Sequence, residues 1–133
     1  MLFCRGPAGH GKVGSIWIAN ADGSEPRQVI TDSSEVLEAN WLPDGRAIAF
    51  CSTREAKRKS EIFQVNVDGT GLTNIASHDA LNLYFPIFSP DGTQLVVDAN
   101  AGGEPVILLI DLITHRAKQL AHGMHSALLW QRK

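Results

Sequence analysis

Long apolar runs are missing from this chain. Nothing approaches the roughly 18 consecutive apolar residues of a membrane-spanning helix, so no membrane partner is expected. A leader is missing as well: Met1-Leu2-Phe3-Cys4-Arg5-Gly6-Pro7 has neither a basic start nor the apolar stretch of a signal peptide, and the expected location is cytoplasmic. Positive charge is not in excess, because 12 Lys and Arg against 14 Asp and Glu leave a formal charge of −2, which argues against a nucleic-acid partner. Cysteine is scarce, with only Cys4 and Cys51, and both read as reduced thiols packed like small hydrophobes. Catalytic signatures are absent too. There is no Gly-x-Ser-x-Gly elbow and no His-Glu-x-x-His, so no catalytic residue is assigned.

What the 133 residues do contain, at 44% hydrophobic content, is a repeat in a chain of one-domain size. Ile16-Trp17-Ile18-Ala19-Asn20-Ala21-Asp22-Gly23 returns 46 residues later as Ile62-Phe63-Gln64-Val65-Asn66-Val67-Asp68-Gly69. It returns again, degraded, as Ile107-Leu108-Leu109-Ile110-Asp111-Leu112-Ile113-Thr114. A second element keeps the same beat, with Asn40-Trp41-Leu42-Pro43-Asp44-Gly45 matched by Ile87-Phe88-Ser89-Pro90-Asp91-Gly92. Short alternating segments at this spacing mark the blades of a β-propeller, which are about 40 to 50 residues each. The expected fold class is therefore all-β, built of four-stranded antiparallel blades, three to the chain.

Turn chemistry places the strands. Pro-Asp-Gly supplies a preset φ at proline and a positive φ at glycine, so each copy marks a hairpin. The Asp-Gly pairs at 22–23 and 68–69 do the same. From the axis outward, the second repeat has strands over 37–42, 46–52, 61–67 and 72–76, and the third over 84–89, 94–98, 106–112 and 117–121. Val106-Ile107-Leu108-Leu109-Ile110 reads as a strand buried on both faces between stacked blades. Blade 1 spans about 1–36, blade 2 about 37–82 and blade 3 about 83–125.

Aligning Phe3-Cys4 with Phe50-Cys51 leaves blade 1 without its inner strand, while Ala127-Leu128-Leu129-Trp130 reads as one inner strand too many. Propellers use about 4 to 8 blades, so three cannot close a ring, and the open blade faces would leave apolar patches in water. The expectation is a homodimer that completes a six-bladed ring. Strand 126–131 of each copy, with Leu128, Leu129 and Trp130, would lie against Met1, Leu2 and Phe3 of the other. The competing expectation is a piece of a longer propeller protein.

Trp41-Leu42-Pro43-Asp44-Gly45-Arg46-Ala47-Ile48-Ala49-Phe50, followed by Glu61-Ile62-Phe63 and the run to Asp68-Gly69-Thr70-Gly71-Leu72, resembles the repeat of the TolB-like propellers. The family's blades read roughly W-S-P-D-G-x-x-I-A-F and then I-Y-x-x-x-x-D-G. Ile113-Thr114 departs from this pattern, standing where Asp-Gly is expected. The resemblance implies a six-bladed propeller used mainly for protein interaction.

Other motifs are weaker. Gly6-Pro7-Ala8-Gly9-His10-Gly11-Lys12-Val13 comes close to a phosphate-binding loop, but Val13 cannot ligate magnesium and a strand follows in place of a helix. Asn20-Ala21-Asp22-Gly23 and Asn66-Val67-Asp68-Gly69 lack the other ligands of a calcium loop. Arg54, Lys57 and Arg58 form the strongest charge cluster, a solvated loop or a surface for an acidic partner. His78, Asp79, His122 and His125 lie in equivalent loops on the same expected face, with Tyr84 on the inner strand below. Imidazoles and carboxylates suit zinc or manganese, with His122 and His125 joined by Asp79 or Glu38. Their loop spacing favours ordinary polar residues, and no metal or cofactor is expected. The leading function is a non-enzymatic scaffold that binds a protein or small ligand through its loop-rich face and channel. The alternatives are a metal-dependent hydrolase or lactonase, and a propeller fragment of a larger protein such as a peptidase.

Overall fold

The computed structural model describes residues 1–5, 14–31, 36–54, 59–100, 102–124 and 130. Within them the chain is all-β and folds as consecutive antiparallel hairpins in three sheets. Sheet I holds β1 (Leu2–Arg5), β2 (Ser15–Ile18) and β3 (Arg27–Thr31). Sheet II holds β4 (Val36–Trp41), β5 (Ala47–Ser52), β6 (Glu61–Asn66) and β7 (Thr73–Ala76). Sheet III holds β8 (Asn82–Phe88), β9 (Gln94–Asn100), β10 (Val106–Asp111) and β11 (Ala117–His122).

The expected hairpins form where turn chemistry put them. Gly45 and Gly92 take φ of 68° and 72°, and the Asp before each accepts the N–H two residues on, Arg46 N–H at 2.9 Å and Thr93 N–H at 3.0 Å. The departure at Ile113-Thr114 has its own solution. Asp111 accepts the Ile113 and Thr114 N–H groups, and His115, with φ 55°, takes the left-handed place that glycine fills elsewhere.

Alternation along each strand sorts side chains to two sides, and the sheets stack through both. β5 is buried throughout, which explains its nearly unbroken apolar sequence. Ile48 and Phe50 join Ile16, Val36, Phe63 and Val65 between sheets I and II. Ala49 and Cys51 join Ile62, Leu83, Val97 and Leu108 between sheets II and III. Polar links cross both junctions: Arg27 Nη1 donates to the Val67 carbonyl at 2.7 Å, and Leu83 N–H to the Ser60 carbonyl at 2.8 Å.

The pairing register repeats as the sequence does. Phe3 opposes Trp17 in sheet I, Phe50 opposes Phe63 in sheet II, and Val97 opposes Leu108 in sheet III. Irregularities were not expected from the alternation, yet each inner strand carries one, between Leu37 and Asn40 in β4 and between Tyr84 and Ile87 in β8. The expected strand at 126–131 lies outside the described residues apart from Trp130, whose indole N–H is buried without a hydrogen bond.

Candidate functional site

The two inner-strand irregularities are bulges with a shared geometry. Glu38 and Phe85, 47 residues apart, have φ of 54° and 52°, a conformation rare for residues with a Cβ. Each bulge turns the strand so that neighbouring sheets can exchange polar contacts. The Glu38 carboxylate accepts the Phe85 N–H at 2.7 Å and the Cys51 thiol at 3.3 Å, and Asn40 Nδ2 donates to the Pro86 carbonyl at 3.1 Å. Burial raises the Cys51 thiol well above its ordinary range, and the adjacent Glu38 charge and the hydrogen bond donated to it push the same way. Cys51 is thus a structural thiol, as the sequence suggests. Burial also raises Cys4, partly offset by the Ala39 backbone.

Beside these strands, the β5–β6 and β7–β8 connections meet. Lys59 Nζ donates to the Asp79 carbonyl, and Ser60 N–H donates to Asn82 Oδ1 at 2.9 Å. His78 Nδ1 accepts the Ala80 N–H at 3.1 Å, which fixes the ring against the β7–β8 connection. The Arg54 guanidinium lies over the Phe63 ring, 6.0 Å from its centroid. Tyr84 sits half-buried on β8 directly opposite Asp98.

His122 does not join this group. It ends β11, within 3.9 Å of Glu104 and hydrogen-bonded to Gln119 at 3.1 Å. Glu38, the other carboxylate considered as its metal partner, is committed to Phe85 and Cys51. Lys57, Arg58, His125, Leu128 and Leu129 lie outside the described residues. Among those described, no three His, Cys, Asp or Glu side chains converge as metal ligands would.

Sequence reasoning missed two features. One is the Glu38 bulge, for which neither glutamate nor phenylalanine is a local signal. The other is a crevice of about 350 Å³ between β7 and β10–β11, where Asn74, Ser77, His78 and His115 meet the apolar Leu108 and Ile110. His115 enters it because of the turn at Asp111, which the degraded repeat did not announce.

Residues 8–127 match the model of the TolB beta propeller domain. The chain belongs to that family. Over 68 residues it is 35% identical to the Tol-Pal system protein TolB of Thioalkalivibrio sulfidiphilus, a match covering 51% of this chain and 15% of that protein. TolB from Acinetobacter baumannii superposes with a TM-score of 0.71 at 30% identity, covering 87% of this chain and 28% of the other. An oligogalacturonate lyase in complex with manganese superposes at 0.68 and 23% identity, covering 98% and 35%, a likeness of fold alone.

The expected TolB-like family and all-β propeller class therefore stand, and the expected cytoplasmic location does not. The matched relatives named TolB, of the Tol-Pal system, are periplasmic. That expectation rested on a missing leader. The matches span only 15%, 16% and 19% of three such TolB relatives, so the first residues here say nothing about a leader.

Proposed function

We propose that this TolB beta propeller chain is a non-enzymatic scaffold that binds a protein or small ligand through the face made by the β5–β6 and β7–β8 connections, beside the bulged inner strands. The observation that carries the reading is the bracing of that face. The Lys59 ammonium, the Asn82 amide and the Ser60 and Leu83 backbones tie the two connections together through hydrogen bonds, and Arg54 and His78 are held there in set positions. A pre-organised polar rim loses little entropy on binding, which favours recognition. Asp22, Asp68, Asp91 and Asp111 are held below the usual carboxylate range by hydrogen bonds within their own hairpin turns.

Because relatives carry the name of the Tol-Pal system, its other proteins are the first partners to try. Amide spectra recorded while each soluble partner is added should shift at Arg54, His78 and Tyr84, and Arg54→Glu should weaken binding by about tenfold or more. Shifts confined to the opposite face, around Pro43 and Pro90, would reject this site. Turnover of oligogalacturonate by the chain with added manganese would reject the non-enzymatic reading.

A further inference from the structure

The junction between sheets II and III repeats the junction between sheets I and II position by position, and it is less well filled. In the first junction Ile30 of β3 shares one apolar cluster with Phe63 and Leu72 of sheet II. Ala76 takes the place of Ile30 in the second, since Ile30 opposes Ile16 and Ala76 opposes Ile62. Leu108 takes the place of Phe63, because Val97 opposes the one as Phe50 opposes the other. Ala117 takes the place of Leu72, each preceding the residue that pairs with Leu109 or Gln64. Three side chains are thus cut back at one place, while Leu83 and Ile75 exceed their counterparts Val36 and Val29 by only a methylene each.

The crevice of about 350 Å³ opens where those side chains are shortened, near the lower end of the range for small-ligand pockets. Its floor of Leu83, Leu108 and Ile110 belongs to the buried core, so the opening is preformed. Residues as large as those of the first junction would close it, and leaving it open forgoes apolar burial.

The rim has a different chemistry. His78 follows β7 and His115 lies in the β10–β11 turn, and both line the opening together with Ser77. Among the described residues no carboxylate lines it. Two acidic residues of the same sheets are engaged elsewhere: Glu61 accepts Asn74 Nδ2 at 3.0 Å, and Asp111 accepts the N–H groups of its own turn. Arg116 and Lys118 flank Ala117 in the sequence. Imidazole and hydroxyl donors, with cations beside them, suit an anionic head group.

We infer that this crevice binds a small organic acid, whose aromatic or branched aliphatic body fills the space that Phe63, Leu72 and Ile30 fill in the first junction and whose carboxylate faces His78 and His115. Both walls belong to this chain, so the site needs no second copy. Only His78 is shared with the loop face, and the site stands whatever that face binds.

Methyl and amide spectra of the full chain during addition of benzoate test the site, with benzamide as the same body without the charge and acetate as the charge without the body. Benzoate should give saturable shifts at Leu108, Ile110 and Ala117 with a dissociation constant of about 1 mM or tighter. Benzamide should bind about tenfold more weakly, since a hydrogen bond to a charged group is the stronger kind, and acetate should not saturate. Ala117→Leu places the first junction's residue on an exposed strand and should abolish the shifts while leaving the far-ultraviolet spectrum unchanged. His115→Asn keeps a residue that tolerates the left-handed turn, and it should weaken benzoate about tenfold while leaving benzamide unchanged. Should Ala117→Leu not fold, His115→Asn and the comparison of benzoate with benzamide decide the matter. The absence of saturable shifts at those residues up to about 10 mM benzoate overturns the inference. So do benzamide binding as tight as that of benzoate, a folded Ala117→Leu chain that still binds, a His115→Asn chain of unchanged benzoate affinity, or shifts centred on Arg54 and Tyr84.

Discussion

Glu38 does two jobs with one carboxylate: it satisfies the backbone N–H of the neighbouring bulge and accepts the Cys51 thiol proton. Glu38→Ala removes both and should cost about 0.5–1.5 kcal/mol in thermal or urea unfolding, with Glu38→Gln costing less because an acceptor remains. The same substitution should lower the Cys51 thiol toward its ordinary range, since a neighbouring charge is gone, while burial still holds it above. In the intact chain Cys51 should resist alkylation at mildly alkaline pH until the protein unfolds, and Cys4, only half-buried, should react first. Above the ordinary thiol range the unfolded chain loses the Cys51 proton and the folded chain keeps it, so stability falls as pH rises there. Cys51→Ala should remove that alkaline loss.

At the scale of the element, the hairpin turns offer a matched comparison. Gly23 and Gly69 occupy the same repeat position with φ of 85° and 87°. A Cβ at Gly23 meets nothing, whereas one at Gly69 comes within 2.7 Å of the Val29 carbonyl oxygen of sheet I. Both alanine variants bear the left-handed strain of about 1–2 kcal/mol, and Gly69→Ala should lose about 1 kcal/mol or more beyond Gly23→Ala because two sheets must separate. Urea midpoints of the two variants measure the difference. In the same turn Asp68 is held below the usual carboxylate range, first by the Thr70 hydroxyl and then by the Thr70 N–H. A lowered folded-state value stabilises above the unfolded value and is lost as pH falls through the folded one. Thr70→Ala should move the Asp68 titration upward, as followed by carboxyl carbon shifts.

For the molecule as a whole, stability should be graded from the middle of each sheet outward. β5 is buried along its entire length and β9 along most of it, while every residue of β11 is exposed. Hydrogen exchange should find the longest protection in β5 and β9 and the first opening in β11. Protection of β11 equal to that of β5 would mean that something covers the outer strand in solution.

The hairpins and the stacking of sheets were legible because they depend on short-range rules. Asp-Gly and Pro-Asp-Gly set local φ values, and the alternation in Ile48-Ala49-Phe50-Cys51 assigns two buried sides without reference to distant residues. Candidate site residues were less legible. His122 shares a loop position with His78 in the repeat, yet its side chain turns to Glu104 and Gln119 on its own sheet. Glu38 looked like one more inner-strand carboxylate, and the bulge that gives it a role is a response to the neighbouring sheet.

By itself the amino-acid sequence determined the repeat, the turns, the order of the strands and the family, since each is written in residues close together or at a constant spacing. The tertiary structure alone decided that Glu38 serves Phe85 and Cys51, that the Cys51 thiol is raised, that His115 enters the crevice, and that Phe50 and Phe63 are sealed while Phe3 and Trp17 are not. Those outcomes depend on which sheet lies against which. The energy that settles them comes from contacts between residues some 10 to 50 positions apart, which no local pattern encodes.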